Sequence, residues 1–258
     1  QSITADNARN DSELVFGNLP GIGGTLAMTS TGNPISAIDD VTPTAFEEAN
    51  AQVGSITDVN GSDGTFGIRY TLADVVGTGW KLDYMYFPVH GSGDATADQG
   101  TAVAHGNKDA HDITLTGSVP GVEGLSLGVG YAKANYDAPA ANESEREEGT
   151  AYAKYAFGPL TVGYQVGAVG LAGSNPYSYK NTYMGISYAV SDDLSISYNT
   201  IDSSRSGGYS VEQDFDSISL SYSMGGMTFG IVDADCGNCS YSSGRKQDET
   251  SVSMSIAF

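Results

Sequence analysis

The feature that most constrains this chain is a regular alternation of apolar residues with small or polar ones. Over residues 251–258, Val, Met, Ile and Phe alternate with Ser and Ala, and over residues 217–224, Ile, Leu, Tyr and Met alternate with four serines. Alternate residues of a β-strand point to opposite faces, whereas a helix repeats about every 3.6 residues. The period of two therefore predicts strands with one apolar face and one polar face.

Segments of this kind recur along the whole chain. About thirteen can be counted, near residues 12–19, 23–30, 64–72, 80–88, 111–119, 125–133, 150–157, 160–169, 181–190, 194–202, 214–224, 227–235 and 250–258. Short turns follow every second segment, and longer stretches rich in Gly, Ser, Asp and Asn lie between them. Short turns on one rim and long loops on the other are typical of outer-membrane barrels, and an open soluble sheet of that size is unusual. We therefore predict an all-β fold, an antiparallel up-and-down transmembrane β-barrel, as a single domain over residues 1–258.

A soluble β-sandwich also alternates, but its apolar face would be a core. Here the opposite face carries Ser, Thr, Gly and Gln with few charges. Tyrosines lie toward the ends of several segments: Tyr131, Tyr155, Tyr188 and Tyr198. Both features suit a wet lumen and an aromatic girdle at the membrane interface. The barrel is favoured, and a soluble sandwich or propeller is the alternative.

Composition excludes two other classes of protein. The chain is only 40% hydrophobic and contains 34 glycines. It has no stretch approaching the roughly 18 to 20 apolar residues of a spanning helix, whereas a spanning strand needs only about 9 to 11 residues. Lys and Arg number 11 against 31 Asp and Glu, a net charge of -20, so a nucleic-acid backbone would be repelled. We expect no nucleic-acid partner.

Two stretches carry a resemblance to a known family. Residues 251–258 resemble the C-terminal strand by which outer-membrane proteins are recognised for assembly, and residues 8–26 look like the porin pattern of strand, Pro-containing turn and strand. With the Gly-x-Ser-Tyr and Gly-x-Gly-Tyr strands, the chain resembles the Gram-negative general diffusion porins, especially those of marine alphaproteobacteria.

The resemblance implies an outer-membrane location, sixteen or eighteen strands, and a homotrimer surrounded by lipid and lipopolysaccharide. It also implies passive diffusion of ions and small hydrophilic solutes through a water-filled channel, with no cofactor. Several N-terminal strands are then expected to precede Gln1, together with any secretory signal.

The longest loop covers residues 31–63. Within it, Thr44-x-x-Glu47 is a capping box that follows Pro43, and it predicts a short helix over residues 44–52. Counting sixteen strands back from Phe258 makes this the loop that constricts the pore in the family. A count of eighteen would place that loop before Gln1, and the likeness of residues 8–26 to a post-constriction strand favours this second count. Both counts stay open.

If the apolar positions face lipid, the opposite positions line the lumen. The charged residues placed there or on the long loop are Arg69, Lys81, Asp83, Lys154, Asp39, Asp40, Glu47 and Glu48. Basic residues on the wall facing acids on the loop would create a transverse field that orients polar solutes. The alternative is that these are ordinary solvated charges.

Residues 124–128 match the Gly-x-Ser-x-Gly pattern of hydrolase nucleophiles. That chemistry requires a strained turn between a strand and a helix, with the His later in the chain, whereas Ser126 lies inside an alternating strand. The histidines His90, His105 and His111 all precede it. We predict no catalytic residue and no enzyme. A barrel serving as an adhesin or phage receptor, or a membrane-embedded hydrolase, is the alternative function.

The last sequence feature is Cys236-Gly237-Asn238-Cys239 in the predicted last external loop. We predict a local disulfide that pins the loop tip. The histidines are scattered, so no metal site is expected. The acid-rich residues 143–148, with Asp233 and Asp235, lack an Asp-x-Asp-x-Asp-Gly loop and are expected to bind calcium weakly at most.

Overall fold

The computed structural model describes residues 13–17, 19–29, 32–62, 66–90, 106–137, 145–171, 177–207 and 211–256. They contain one sheet of thirteen strands, each paired antiparallel with the next along the chain. The strands are β1 (Glu13–Gly17), β2 (Thr25–Thr29), β3 (Gly67–Leu72), β4 (Lys81–Phe87), β5 (Gly106–Ser118), β6 (Leu125–Asp137), β7 (Arg146–Phe157), β8 (Leu160–Gly170), β9 (Ser178–Ala189), β10 (Leu194–Arg205), β11 (Gln213–Met224), β12 (Met227–Gly237) and β13 (Lys246–Ile256). The predicted all-β, up-and-down architecture is confirmed. β1 and β13 are the sheet edges, and they do not pair with each other within the described residues.

Every predicted segment corresponds to one strand, but several strands are longer than predicted. β5 begins at Gly106, β7 at Arg146 and β13 at Lys246, each about four residues before the predicted start. All three extensions lie at the end that joins the long loops. Both faces are polar or small there, so backbone pairing continues where the apolar signal has stopped.

The connections alternate in length as predicted. β11 and β12 are joined by Gly225 and Gly226 alone, with φ of 58° and 84°, a conformation that glycine adopts without strain. The connections on the opposite rim are longer, and the longest described one joins β2 to β3.

One face of the sheet, the outer face, is apolar and exposed. On β11, Ile218 is 63% exposed, and on β13, Val252 is 72% exposed. The four predicted girdle tyrosines are exposed as well: Tyr131, Tyr155, Tyr188 and Tyr198. A soluble sandwich would bury such a face as its core, so this exposure favours the barrel over the sandwich.

The other face, the inner face, carries the segment between β2 and β3. Residues 32–62, called the internal loop below, run along this face and contain the helix α1 (Ala49–Gln52) and a single 3-10 turn (Ile35–Ala37). Residues 33–45 form its first limb and residues 53–62 its second limb. In the described part of the chain, no helix has the length and apolar character needed to cross a bilayer.

The outer face provides a first prediction. Leu220 of β11 lies between Ile196 and Ile231 in one cross-strand row, near the middle of the apolar band. We expect Leu220→Lys to lower the free energy of unfolding in lipid vesicles by about 2–4 kcal/mol, because a cation would be placed in hydrocarbon. Guanidinium unfolding measures it. The control is Ser221→Lys, one residue along on the inner face, and an equal loss for the two variants would contradict the assignment of faces.

Candidate functional site: the internal loop and its wall

The internal loop is held by hydrogen bonds from its backbone to side chains of the strands. Gln165 of β8, 1% exposed, accepts from Val41 N through Oε1 at 3.0 Å. Its Nε2 donates to the carbonyl of Ile38 at 2.9 Å and to that of Asp39 at 2.7 Å. One side chain therefore pairs with three backbone groups of the first limb, which would be costly to bury unpaired.

At the end of the first limb, strand side chains bind the backbone again. Ser197 Oγ of β10 accepts from Ala45 N at 2.8 Å, and Ser219 Oγ of β11 accepts from Phe46 N at 3.1 Å. Asn199 Nδ2 donates to the carbonyl of Pro43 at 3.0 Å. This part of the loop is thereby fixed to two neighbouring strands, β10 and β11.

These contacts explain why the predicted helix over residues 44–52 is wrong in its first half. The helix begins at Ala49, after Glu48 in extended conformation, and no side chain caps it. Thr44 Oγ1 donates to the Glu47 carbonyl at 3.2 Å rather than accepting from a helical N–H. Because the strands bind the N–H groups of Ala45 and Phe46, these residues stay outside the helix.

The second limb is held by two carboxylates of the wall. Glu148 Oε2 of β7 accepts from Asn60 N and from Gly61 N, both at 2.7 Å. Asp112 Oδ2 of β5 accepts from Ser62 N at 3.0 Å. Gly61 has a φ of 71°, and a β-carbon there would lie 2.6 Å from Asp112 Oδ2. Only glycine fits this position.

Asn33 joins the two limbs where the loop leaves the rim. Its Nδ2 donates to the Asn60 carbonyl at 2.9 Å, and its Oδ1 accepts from Ser36 N at 2.8 Å. The loop is closed on itself as well as bound to the wall.

An apolar patch on the inner face adds to this binding. Ala49 of α1 is fully buried and Val53 is 5% exposed. They pack in one cluster with wall residues of β9 to β12 and the turn after them: Tyr183, Ile201, Phe215, Val232, Ala234, Cys236 and Cys239. A water-filled lumen would not favour so apolar a wall, so the patch has the composition of a surface that the loop covers.

Cys236 and Cys239 are joined by a disulfide with their Cα atoms 5.7 Å apart. The predicted position in the last external loop is correct for Cys239, which lies in the connection between β12 and β13, and wrong for Cys236. Cys236 lies within β12, and the two cysteines are 2% and 0% exposed. A β-carbon on Gly54 would lie 3.2 Å from Cys236 Sγ, so the bond lies against the second limb. The reason is that β12 extends to Gly237, two residues beyond its predicted end at 235.

The loop brings four acids together: Asp39, Asp40, Glu48 and Asp58. Burial, and then the charges of Asp58 and Asp40, raise the pKa of Asp39 to about 6. Burial, and then Asp40, raise the pKa of Glu48 to about 9, although Thr42 Oγ1 contacts its Oε1 at 3.4 Å. Burial also raises the pKa of Asp58, against the hydroxyl of Tyr183, which donates to it. At neutral pH, Asp39 is therefore mostly ionised and Glu48 mostly protonated.

The predicted basic residues of β3 and β4 form a separate cluster around one acid. Arg69 binds Asp83 with two nitrogens, its Nε at 2.8 Å from Oδ1 and its Nη2 on Oδ2. Lys81 Nζ lies 3.1 Å from Asp83 Oδ2, and Thr71 Oγ1 donates to Oδ1 at 3.0 Å. Asp83 is 2% exposed, so the cluster is a fixed part of the wall that carries one excess positive charge.

The remaining predicted charges lie apart from these two groups. Lys154 of β7 faces inward, in a cross-strand row between Ser126 and Gly163. Glu47 is exposed on the internal loop. The wall cluster and the loop acids are therefore two distinct groups of opposite net charge on the inner side of the sheet.

The hydrolase pattern lies in an ordinary strand. Ser126 Oγ contacts the carbonyl of Lys154 at 3.4 Å. His90 donates to the Asn135 carbonyl at 2.8 Å, and His111 contacts the Tyr84 hydroxyl at 2.7 Å. Neither of these bonds involves Ser126, and His105 lies outside the described residues.

No metal centre is found in the part of the chain that the structure describes, where no group of three or more His, Cys, Asp or Glu is placed to hold an ion. Within the acid-rich stretch 143–148, Glu148 lies in β7 and binds the loop backbone. Asp233 and Asp235 lie on the outer face of β12, and Asp233 accepts from Thr250 Oγ1 at 2.5 Å. Residues 143 and 144 lie outside the described residues.

The anchors of the second limb were missed from the sequence. Glu148 was assigned to a loop because β7 was predicted to start at residue 150 rather than at Arg146. Asp112 was inside a predicted segment, next to the apolar Ile113, and strict alternation would have placed it on the inner face. The signal available in the sequence was a single acid, Asp112, at an inward-facing strand position among small residues.

Comparisons with known proteins support the fold. No family model and no curated protein matches the chain. Among solved structures, an anion-selective porin from Comamonas acidovorans matches with a TM-score of 0.68 and 14% identity, over 91% of this chain and 74% of that one. The outer membrane channel DcaP of Acinetobacter baumannii matches at 0.53 and 13%, over 95% and 84%. OmpT, an outer membrane protein of Vibrio cholerae, matches at 0.54 and 10%, over 90% and 73%.

At these identities the likeness concerns the fold. The chain has the fold of outer-membrane porins and channels, and this fold agrees with the predicted outer-membrane location.

The wall carboxylates provide a second prediction. We expect Glu148→Gln to accelerate hydrogen exchange at the Asn60 and Gly61 amides about fivefold, because a neutral acceptor weakens a hydrogen bond by roughly 1 kcal/mol. Exchange measured by mass spectrometry on the folded protein tests it. The control is Glu147→Gln, on the outer face of the same strand. Equal protection in both variants would show that Glu148 does not hold the loop.

Proposed function

We propose that this protein is an outer-membrane porin whose water-filled channel is narrowed by the internal loop. The observation that carries the proposal is that residues 32–62 lie along the inner face of the sheet, hydrogen-bonded to strands from β5 to β11. A loop fixed inside a barrel reduces its cross-section, and the charges that it carries act on every solute that passes. Specificity then comes from size and charge, with no cofactor and no catalytic residue.

The structural neighbours support this proposal by their own functions. One is an anion-selective porin and another is an outer membrane channel. We further propose that the protein belongs with the general diffusion porins, as in alphaproteobacteria, and passes ions and small hydrophilic solutes. Its partners would be lipid, lipopolysaccharide and two further copies in a homotrimer; a trimer form of OmpT is known. The internal loop would be the pore-constricting loop, with Arg69, Lys81, Asp83 and Lys154 on the wall and Asp39, Asp40, Glu47 and Glu48 on the loop.

Single-channel recording tests this function. The full-length protein, refolded until its migration on a gel is heat-modifiable, is added to a planar lipid bilayer in KCl. Stepwise and largely ohmic openings are expected for a water-filled pore. Folded protein that inserts without conducting would overturn the proposal and favour an adhesin or phage receptor, and lipid hydrolysis lost in Ser126→Ala would favour the hydrolase.

The pKa of Asp39 gives a pH-dependent prediction. Since this pKa is raised to about 6, Asp39 is mostly protonated at pH 5 and ionised at pH 7.5. Glu48, with a pKa of about 9, adds no charge in this range. The channel should therefore prefer cations more strongly at pH 7.5 than at pH 5, seen as a shift of the reversal potential in a KCl gradient.

Asp39→Asn is the variant that separates this residue from all others that titrate. It should reduce the shift between pH 5 and pH 7.5, while Asp192→Asn, in the exposed turn between β9 and β10, should leave it intact. A full shift in Asp39→Asn would show that Asp39 does not control the ion preference.

A further inference from the structure

The wall beneath the first limb contains two glycines that face each other. Gly163 of β8 and Gly185 of β9 are cross-strand partners, and the ring of Pro43 lies on both. A β-carbon at position 163 would lie 2.5 Å from Pro43 Cδ. One at position 185 would lie 2.6 Å from Asn199 Nδ2, 2.9 Å from the Pro43 carbonyl oxygen and 3.1 Å from Pro43 Cδ. Carbon atoms that are not bonded approach to about 3.5–4.0 Å. Neither position can carry a side chain while Pro43 and the Asn199 side chain that binds it stay where they are.

Pro43 cannot slide sideways along the wall without breaking hydrogen bonds, so the only movement open to it is away from the wall. Its carbonyl accepts from Asn199, which is the partner of Gly185 on the next strand. The backbone groups of Val41 and Ala45, two residues away on either side, are bound by strand side chains. A proline ring has no rotamer that could turn it away from the wall.

A second contact between a wall glycine and the loop is easier to relieve. A β-carbon at Gly230 of β12 would lie 2.4 Å from the ring of Phe46. A phenylalanine can rotate about its χ angles to relieve such a contact, whereas Pro43 can only translate. The glycine pair under Pro43 is therefore the place where the wall fixes the position of the loop most rigidly.

We propose that Gly163 and Gly185 are positioning residues that set the size limit of the pore, an inference that rests on the proposed function. They allow the first limb to lie flat against β8 and β9. A methyl group at position 163 moves Pro43 by about 1 Å away from the wall, and one at position 185 moves it by about 0.5 Å, the distances needed to restore a normal carbon contact. The limb that carries Asp39 and Asp40 moves with it into the lumen. Without the pair, the same loop would leave a narrower passage.

The test compares solute flux through alanine variants of the full-length protein. In liposome swelling, Gly163→Ala and Gly185→Ala should each lower the rate for sucrose relative to arabinose about twofold or more, because narrowing excludes the larger solute first. Conductance in KCl should fall less. Neither glycine has a positive φ, so alanine suits the strand itself, and heat-modifiable migration verifies folding.

Two controls carry the same substitution. Gly167 lies on the same strand as Gly163 and on the same face, but a β-carbon there would lie no closer than 3.3 Å to Val59, 3.4 Å to Asp58 and 3.9 Å to Tyr183. Gly149 of β7 lies on the outer face, where a β-carbon meets nothing closer than 3.7 Å. Gly167→Ala and Gly149→Ala should both keep the sucrose to arabinose ratio of the unchanged protein.

A rescue variant distinguishes an effect of the contact with Pro43 from an effect of a general loss of packing. Pro43→Ala removes the ring and keeps the carbonyl that Asn199 binds. In the double variant Gly163→Ala with Pro43→Ala, the flux ratio should return to that of Pro43→Ala alone. Coupling of this kind is expected only for residues in direct contact.

The outcomes distinguish the role of the glycine pair from the porin function on which it rests. If the unchanged protein conducts and Gly163→Ala and Gly185→Ala match it, or if Gly167→Ala is equally affected, the glycine pair does not set the size limit and the porin function stands. An effect without rescue by Pro43→Ala also overturns the inference. If the unchanged, folded protein does not conduct, the porin function itself is overturned, and the inference with it.

Discussion

The position of the internal loop on the inner face depends on how this buried segment pairs its backbone polar groups. Strands satisfy one another, but residues 32–62 lie against a wall whose own backbone groups are already paired. The strands supply side chains instead, each of which binds one or more backbone groups of the loop: Gln165, Glu148, Asp112, Ser197, Ser219 and Asn199. The donors and acceptors of the inner face are therefore placed to pair with the loop backbone along one path. Small residues beneath the loop favour the same path, because they leave space for the loop.

Two other interactions act on the loop besides these hydrogen bonds. The apolar cluster around α1 favours burial through the hydrophobic effect, which is not directional. The four loop acids oppose close packing, since like charges in a partly dry environment repel. Raised pKa values for Asp39 and Glu48 show that part of this repulsion is relieved by protonation. The loop thus presents fewer charges to the lumen at neutral pH than its sequence suggests.

Positive and negative charges are separated on the inner side of the sheet. Arg69, Lys81 and Asp83 form one fixed cluster with a net positive charge, and the internal loop carries the acids. Such fields act over about 8 Å at physiological ionic strength, so the residues in the narrow part of a channel matter more than the net charge of the chain. The overall charge of -20 is for this reason a poor guide to ion preference.

Much of the fold could be predicted from the sequence, because a period of two is visible wherever one face is apolar. The same rule explains the failures. β7 and β5 extend beyond the apolar band, where both faces are polar, so the strand position of Glu148 was not visible. The helix predicted from Thr44 failed because its first N–H groups are bound by Ser197 and Ser219, residues more than 150 positions away in the chain.

Pairings of this kind depend on which strands face the loop, and no local pattern contains that information. The approach of Pro43 to Gly163 and Gly185 is another example, since glycines inside strands read only as weak strand formers.

Covalent block of the channel tests most directly whether the internal loop lies in the conduction path. Asp40 is exposed on this loop, and Cys236 and Cys239 are joined in a disulfide, so neither has a free thiol to react. Asp40→Cys in the full-length protein would be treated with a bulky methanethiosulfonate reagent during single-channel recording. We predict a stepwise fall in current, with no change for Asp192→Cys in the turn between β9 and β10. Complete labelling of Asp40→Cys, verified by mass, with unchanged current would place the loop outside the pore.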